Sequence, residues 1–455
     1  MPKIKNSFKI IFLSFVMMMV MYPNMIQAQS RSLSLIRDTE IEQTLHNWGE
    51  PIFNAAGLDP KAVNIILVQS DSINAFVAGG SNIFFYTGLI TKTENPGELV
   101  GVLAHETGHI TGGHLIRTRE ALERASYESI IGTILGVGAA IASGDASVAP
   151  ALALGGSSVA QRRFLAHSRI QESSADQAAL TFLEHAKINP SGMQSFMDKL
   201  KADNYVPESQ QSEYVRTHPL VDNRVEALKT RVRESKYVNA SYPKDWVEQH
   251  ARMKAKLVGF IHPGQIPWIY DDRDKSVPAQ YARAIAAYRS QDINGAIKRI
   301  DGLLGREPHN PYFLELKGQV LVDFGKVKEG IPYYRKAIIQ MPDAPLFRIA
   351  LAHALIEASE EEDKALLNEA IEQLSRALQD EERSTRVHRL LATAYGRLGQ
   401  ENKSKLHLAE EAVLQRRYEY ARHYAKTVLE SEKENSAIWI KAQDIISFIK
   451  TTKKG

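Results

Sequence analysis

His105-Glu106-Thr107-Gly108-His109 is an H-E-x-x-H pentapeptide, and its flanks are those of a helix. Asn95 can cap free N–H groups, Pro96 suits the first helical position, and Glu98 sits where a capping box places its carboxylate. The run Leu99-Val100-Gly101-Val102-Leu103-Ala104 is apolar, as a helix running through a core requires. Residues four apart on a helix share a face, so the imidazoles of His105 and His109 can reach one metal ion. Zn²⁺ takes imidazole nitrogen at roughly 2.0–2.1 Å, and catalytic sites keep one position open for water. Glu106 follows the first His directly, where its carboxylate could take a proton from that water. Val102, His105, Glu106 and His109 form one stripe; His114, at about 100° per residue, falls nearly opposite His105 and reads as a non-ligand on the far face. Gly108 leaves space beside the second His, and Gly112-Gly113 weakens or bends the helix beyond it.

A catalytic zinc commonly takes three protein ligands, and His, His, Glu is one known donor set. The chain has no cysteine, so the third donor must be His, Asp or Glu. Glu172 is the best candidate, in the helical-looking segment Ser168-Arg169-Ile170-Gln171-Glu172-Ser173-Ser174-Ala175-Asp176. Asp176 lies one turn beyond on the same face, where a carboxylate could accept the second N–H of a zinc-bound imidazole. A solvated acidic helix face would look the same without the first motif.

H-E-x-G-H followed some sixty residues later by S-R-x-x-E-x-x-A-D resembles the HtpX-type family of zinc metallopeptidases. Within it, the soluble periplasmic BepA-like (YfgC-like) branch fits best, over nearly the whole chain. The resemblance implies an α+β zincin-like domain, mainly helical with a small sheet, followed by an all-α tetratricopeptide-repeat solenoid. It implies one Zn²⁺ per chain held by His105, His109 and Glu172, with Glu106 as general base. Asp176 would support a ligand, and Arg169 would be structural, in a salt bridge near the site.

Two more segments match the family. Asn74-Ala75-Phe76-Val77 and Ile83-Phe84-Phe85-Tyr86-Thr87 resemble the strand pair that precedes the active helix, with Gly79-Gly80 as the turn. One of these strands is expected to be the edge along which an extended substrate pairs, at Asn74, Ala75 and Phe76; an ordinary hairpin under the helix is the alternative. Thr217-His218-Pro219 with Arg224 resembles the family's H-P-x-x-x-x-R element. His218 is then expected to face the metal, either stabilising the oxyanion of the substrate carbonyl or filling the open position and holding the enzyme latent. The residues themselves leave both readings open, along with that of a loop His without a role.

The first residues read as a leader. Lys3, Lys5 and Lys9 precede a largely apolar stretch of twelve, Ile10 to Met21, too short to span a bilayer comfortably, and Ile26-Gln27-Ala28 offers a cleavage site. Removing residues 1–28 leaves 53 basic and 53 acidic residues, so no positive excess supports nucleic-acid binding. Export is therefore expected, zero cysteines agrees with it, and the resemblance implies the periplasm as the destination. Ile130 to Ala142 and Val148 to Leu154 are apolar and too short to span; they read as a buried hairpin or as a surface for peripheral membrane or client contact.

The peptidase domain is expected over 29–262, closing with a helix over roughly Trp246 to Leu257, and a Pro- and Asp-rich linker over 263–278. Over 279–455, Pro308 and Pro342 are thirty-four apart, as are Ala296 and Gly330, and Ala284, Gly318 and Ala352 repeat the interval. Small residues where two helices touch, with Pro closing each unit, predict about four tetratricopeptide repeats, irregular around the acidic stretch Glu360 to Asp363. The function this implies is an exported zinc endopeptidase acting on unfolded or misassembled polypeptides. By resemblance these are outer-membrane proteins, with the barrel-assembly machinery as a partner of the repeats. The alternative is a chaperone-like assembly factor whose zinc site is mostly latent.

Overall fold

The computed structural model describes residues 34–114, 117, 169–201, 206, 211–360 and 363–452. The expected leader and the apolar stretches at 130–142 and 148–154 lie outside these residues.

The N-terminal part is built around α1 (Thr39–Ala55), whose N-cap Asp38 accepts from the Ile41 N–H. Ile41, Leu45, Trp48, Ile52 and Phe53 line one buried face at helical spacing. The expected strand pair is present as β3 (Ala75–Ala78) and β4 (Asn82–Tyr86), and two further strands, β1 (Leu35–Ile36) and β2 (Asn64–Val68), join it. Their order is β1-β2-β4-β3, with β2 and β4 parallel and the other pairs antiparallel. Gly79 and Gly80 carry the positive φ of the β3–β4 turn, 62° and 98°. Leu67, Ala75, Ile83 and Phe85 point into the core, while Phe76 and Phe84 stand half-buried on the opposite face. β3 is therefore an edge strand.

β4 runs directly into α2 (Thr87–Lys92) and then α3 (Pro96–Thr111). The expected helix start is present. The Asn95 side chain accepts from the Glu98 N–H, Pro96 opens the helix, and Glu98 Oε2 reaches back to the N–H of Glu94 at 3.0 Å. α3 is buried from Pro96 to Gly108, which is why its sequence is apolar on every side. A helix over 169–185 and α5 (Ser191–Leu200) pack beside it. Then come α6 (Glu213–Thr217), α7 (Asp222–Glu234) and α8 (Lys244–Ile261). We number the helix over 169–185 α4.

α8 serves two cores. Met253 and Leu257 belong to the cluster around α1 and α3, whereas Ala255 and Val258 pack with Ile266 and Ala282. Residues 263–278 turn through a 3-10 segment and the short α9 (Ile266–Ile269), with Ile266 buried. Five helical pairs follow among the described residues: α10 (Val277–Arg289) with α11 (Ile293–Arg306), α12 (Pro311–Asp323) with α13 (Val327–Gln340), α14 (Pro345–Ala358) with α15 (Lys364–Asp380), α16 (Thr385–Arg397) with α17 (Glu401–Leu414), and α18 (Tyr418–Ser431) with α19 (Ala437–Thr452). The first three pairs start thirty-four residues apart; the fourth starts forty after the third, because the acidic connection and α15 are longer. The pair beyond the expected four lacks a closing proline. Arg416 just before it and Asn435 between its helices take positive φ instead, a weaker sequence signal. Gly318 and Gly330 sit where α12 meets α13, as the thirty-four-residue pattern anticipates: a Cβ on Gly330 would come 2.9 Å from the Gly318 carbonyl. No described helix is long and apolar enough to cross a membrane.

A buried ionic cluster ties α1 to α8 and the repeats. Lys256 lies 2.7 Å from Asp38 and 3.2 Å from Glu40, and the Tyr281 hydroxyl donates to Glu40 at 2.8 Å. Arg37 bridges Glu381, at the end of α15, at 2.6 Å. Between these contacts a cavity of about 640 Å³ opens, walled by Phe260, Arg289, Glu315, Tyr334 and Phe347 among others. Lys256→Met leaves Glu40 and Asp38 buried without their cation. It should lower unfolding stability by about 3–5 kcal/mol, read from denaturant midpoints, whereas breaking the exposed Lys328–Glu360 pair should leave the midpoint nearly unchanged.

Candidate metal centre

α3 places His105 and His109 on one face, and α4 places Glu172 and Asp176 on one face, because four residues make about one helical turn. What brings the two faces together is Gly108. A Cβ there would stand 2.7 Å from the Ala175 carbonyl oxygen, so only glycine lets α4 lie this close to α3.

The donors then converge. His105 Nε2 is 3.1 Å from His109 Nε2 and 3.3 Å from Glu172, and His109 Nε2 is 3.3 Å from Glu172. His218, which ends α6, adds a fourth donor: its Nδ1 is 3.4 Å from His105 Nε2 and 3.2 Å from both Glu172 oxygens. All four donor atoms lie within 4.8 Å of one another. A tetrahedral site with metal–ligand bonds of roughly 2.0–2.1 Å has donor–donor edges of roughly 3.3–3.4 Å. These residues therefore fit a four-coordinate zinc ion, and nitrogen and oxygen donors are what that ion takes.

The surrounding residues orient the donors. Asp176 Oδ1 faces His105 Nδ1 at 2.9 Å, which leaves Nε2 for a metal. Arg224 grips Asp176 with Nε and, at 3.0 Å, Nη2; its Nη1 lies 3.0 Å from Glu172 and donates to the Pro219 carbonyl at 3.0 Å. Burial would lower the His105 pKa, but Asp176 and Glu172 outweigh it and raise the value to about 9. Burial would raise Glu172, yet His218, His105 and His109 hold it well below the usual carboxylate range. Asp176 is lowered too, with Arg224 and His105 outweighing burial. Glu172 and Asp176 share the Arg224 guanidinium, and Glu106 is a third buried carboxyl group near the donors, negative charge that a divalent cation would offset. Glu106 is fully buried, neither of its oxygens has a hydrogen-bond partner, and His218 Nε2 is 3.6 Å away. A carboxylate held this way is ready to accept a proton from a group entering the site.

His114 does not lie on the far face. α3 ends at Thr111, Gly113 takes φ 60°, and the chain folds back so that His114 Nδ1 meets His109 Nδ1 at 3.0 Å. It is buried at 4% exposure and stays outside the donor group, so it supports His109 as Asp176 supports His105. The helical-wheel argument fails because the helix stops; the Gly112-Gly113 pair was the available signal. Tyr214, one turn before His218, is the other residue that sequence reasoning missed. Its ring lies 4.6 Å from the His218 ring, and burial, with Glu106 facing it, pushes its phenol pKa well up. Arg169, by contrast, is exposed at the start of α4; the guanidinium that reaches the site carboxylates is that of Arg224.

The strand residues sit beside the metal centre. Asn74 is buried, and its side chain accepts from Thr217 Oγ1 at 3.3 Å. The Ala75 carbonyl is 3.2 Å from His218 Nε2, and Phe76 points to the sheet face away from α3.

Residues 39–232 match peptidase family M48, and residues 281–345 match the tetratricopeptide repeat. The beta-barrel assembly-enhancing protease of Yersinia pestis is 27% identical over 72% of this chain and 67% of its own length. That of Escherichia coli K12 is 25% identical over 73% of this chain and 69% of its own. A solved structure, MamA MSR-1 C2, covers 37% of this chain and 96% of its own at 19% identity, with a TM-score of 0.31.

Gly108→Ala should force α3 and α4 apart and weaken metal retention by at least about tenfold, measured by chelator competition, with little change in helix content by circular dichroism. An unaltered metal affinity would show that α4 can shift without cost. The donor geometry, the support of each ligand and the family match agree: residues 39–232 form a peptidase family M48 domain, and the chain is a metalloprotease that also carries tetratricopeptide repeats.

Proposed function

We propose that the chain is an exported, periplasmic zinc endopeptidase. It acts on unfolded or misassembled polypeptides in outer-membrane protein assembly, and its site rests in a latent state closed by His218. The observation that carries this reading is the double engagement of His218. Its Nδ1 stands among the metal donors while its Nε2 contacts the Ala75 carbonyl on the edge strand. The residues before it also cover that edge: the Tyr214 N–H donates to the Ile73 carbonyl at 3.0 Å. An extended substrate needs both places, the strand edge and the fourth metal position, so α6 and His218 have to withdraw before it can bind.

In this reading His105, His109 and Glu172 hold one zinc ion. When bound, the ion supplies Lewis acidity toward the scissile carbonyl and toward water. Glu106 takes the proton from that water and delivers it to the departing amine, a role suited to a buried carboxylate without a competing partner. Asp176 and Arg224 keep His105 and Glu172 aimed, and Tyr214 holds the ring of His218 in place. With α6 withdrawn, the outward carbonyls of β3 are free to align a client backbone.

Residues 1–28 act as the export signal, 29–262 as the peptidase and 279–455 as the repeat domain, joined through 263–278. The repeats present clients or dock the enzyme on the barrel-assembly machinery, in keeping with the printed name of the relatives. The balanced charge of the processed chain speaks against nucleic acid as a partner. Contact with a membrane surface would fall to the apolar stretch 130–154.

Two substitutions test the reading. Glu106→Gln should retain zinc by elemental analysis and lose casein cleavage by about 10²–10⁴-fold. If that variant still supports barrel assembly in cells, binding rather than cleavage is the main task, and the chaperone-like reading gains. His218→Ala should bind zinc through the remaining donors and cleave casein faster than the unaltered chain. A loss of about 10²–10³-fold would instead assign His218 to the oxyanion.

A further inference from the structure

β3 carries a feature that peptide hydrolysis alone does not require. Tyr86 N–H donates to the Asn74 carbonyl at 3.0 Å, and Phe76 pairs with Phe84 in the same register. In an antiparallel pair the backbone groups of alternate residues turn toward the partner, so Asn74 and Phe76 face β4 while Ile73, Ala75 and Val77 face the open edge. The contacts of α6 agree, since they fall on the carbonyls of Ile73 and Ala75.

Side chains alternate as well. Ala75 points into the core, and Phe76 points to the other face. There the Phe76 and Phe84 rings lie parallel, with centroids 4.8 Å apart and planes 4° from coplanar, and Tyr86 meets Phe76 edge-on at 6.1 Å. Phe76 and Phe84 are half-buried, so this aromatic row runs across the sheet and stops with one ring at its rim. A strand added to β3 would set one side chain directly beside Phe76. For a strand added antiparallel, because the backbone of Phe76 is turned toward β4, that position is a non-hydrogen-bonded pair, where facing side chains come closest.

We infer that Phe76 determines specificity: the enzyme selects strand-forming segments with an aromatic or bulky apolar side chain at the residue that pairs with Phe76. This rests on the edge-strand reading above and names the substrate class for it. Residues on either side of the selected one point toward α3 and the metal, so the preferred client alternates along its length. Ala75 is adjacent in sequence and contacts His218, so the selected residue lies within a few positions of the cleaved bond.

The test is a random peptide library digested by the zinc-loaded full chain, using whichever of the unaltered protein and His218→Ala cleaves faster, with cut sites mapped by mass spectrometry. Aromatic residues should be enriched at one fixed position relative to the cut. Phe76→Thr should reduce that enrichment by about two- to tenfold and raise KM for a peptide with Phe at the position by more than for its Ser counterpart. Phe76→Leu, which keeps an apolar side chain in the row, should shift the preference toward aliphatic residues. An enrichment that is absent, or that survives Phe76→Thr, overturns the inference while leaving the protease reading intact. So does an equal loss for the Phe and Ser peptides, which would mark Phe76 as a packing residue. Absence of cleavage by either form would end the protease reading and this one with it.

Discussion

The metal centre depends on the contact between two helix backbones. Gly108 on α3 and Ala175 on α4 touch so closely that a single methyl group on the former would collide with a carbonyl. That contact sets the distance from Glu172 to the two imidazoles, and from Asp176 to the far nitrogen of His105. Once fixed, the cluster maintains itself electrostatically. The carboxylates raise His105, the imidazoles lower Glu172, and Arg224 holds both acids in place. Such mutual dependence suits a site that must keep its shape while gaining or losing a doubly charged ion.

The rest of the peptidase domain serves to hold α3 still. The sheet closes one side, α1 another, and α8 reaches the start of the helix from behind. His250 contacts the Thr93 hydroxyl at 2.9 Å, two residues before the capping Asn95. The opposite face of α8 is already part of the repeat array. One helix thus joins the two cores, and the buried Lys256 cluster adds charge pairing to apolar packing at the same junction.

α6 is only five residues long, yet it satisfies backbone groups on the edge strand that would otherwise be open. Unpaired strand edges invite association, and covering them with the chain's own residues is a common remedy. Here the cover ends in His218, so protecting the edge and completing the donor set become one event.

Much of this was readable from residue order alone. The H-E-x-x-H spacing, the Asn95 cap and the apolar run placed two ligands and a carboxylate on one buried helix, since these depend on local geometry. Aromatic content, the Gly79-Gly80 turn and the family resemblance identified the strand pair, and the thirty-four-residue interval the repeats. Glu172 and Asp176 were legible as partners of the two imidazoles from donor type and family resemblance, but how the helices meet was not, because the contact spans more than sixty residues and turns on one missing methyl group at Gly108. The last pair was underread because no proline marks its boundary with the fourth, where Arg416 takes a positive φ instead. His114 was misplaced because a periodic wheel assumes a helix that in fact ends at Thr111. Which of Arg169 and Arg224 meets the acids, and that His218 stands among the donors while touching the edge strand, were decided by tertiary structure alone. Periodicity assigns a side chain to a face of its own element, but only packing determines what that face meets.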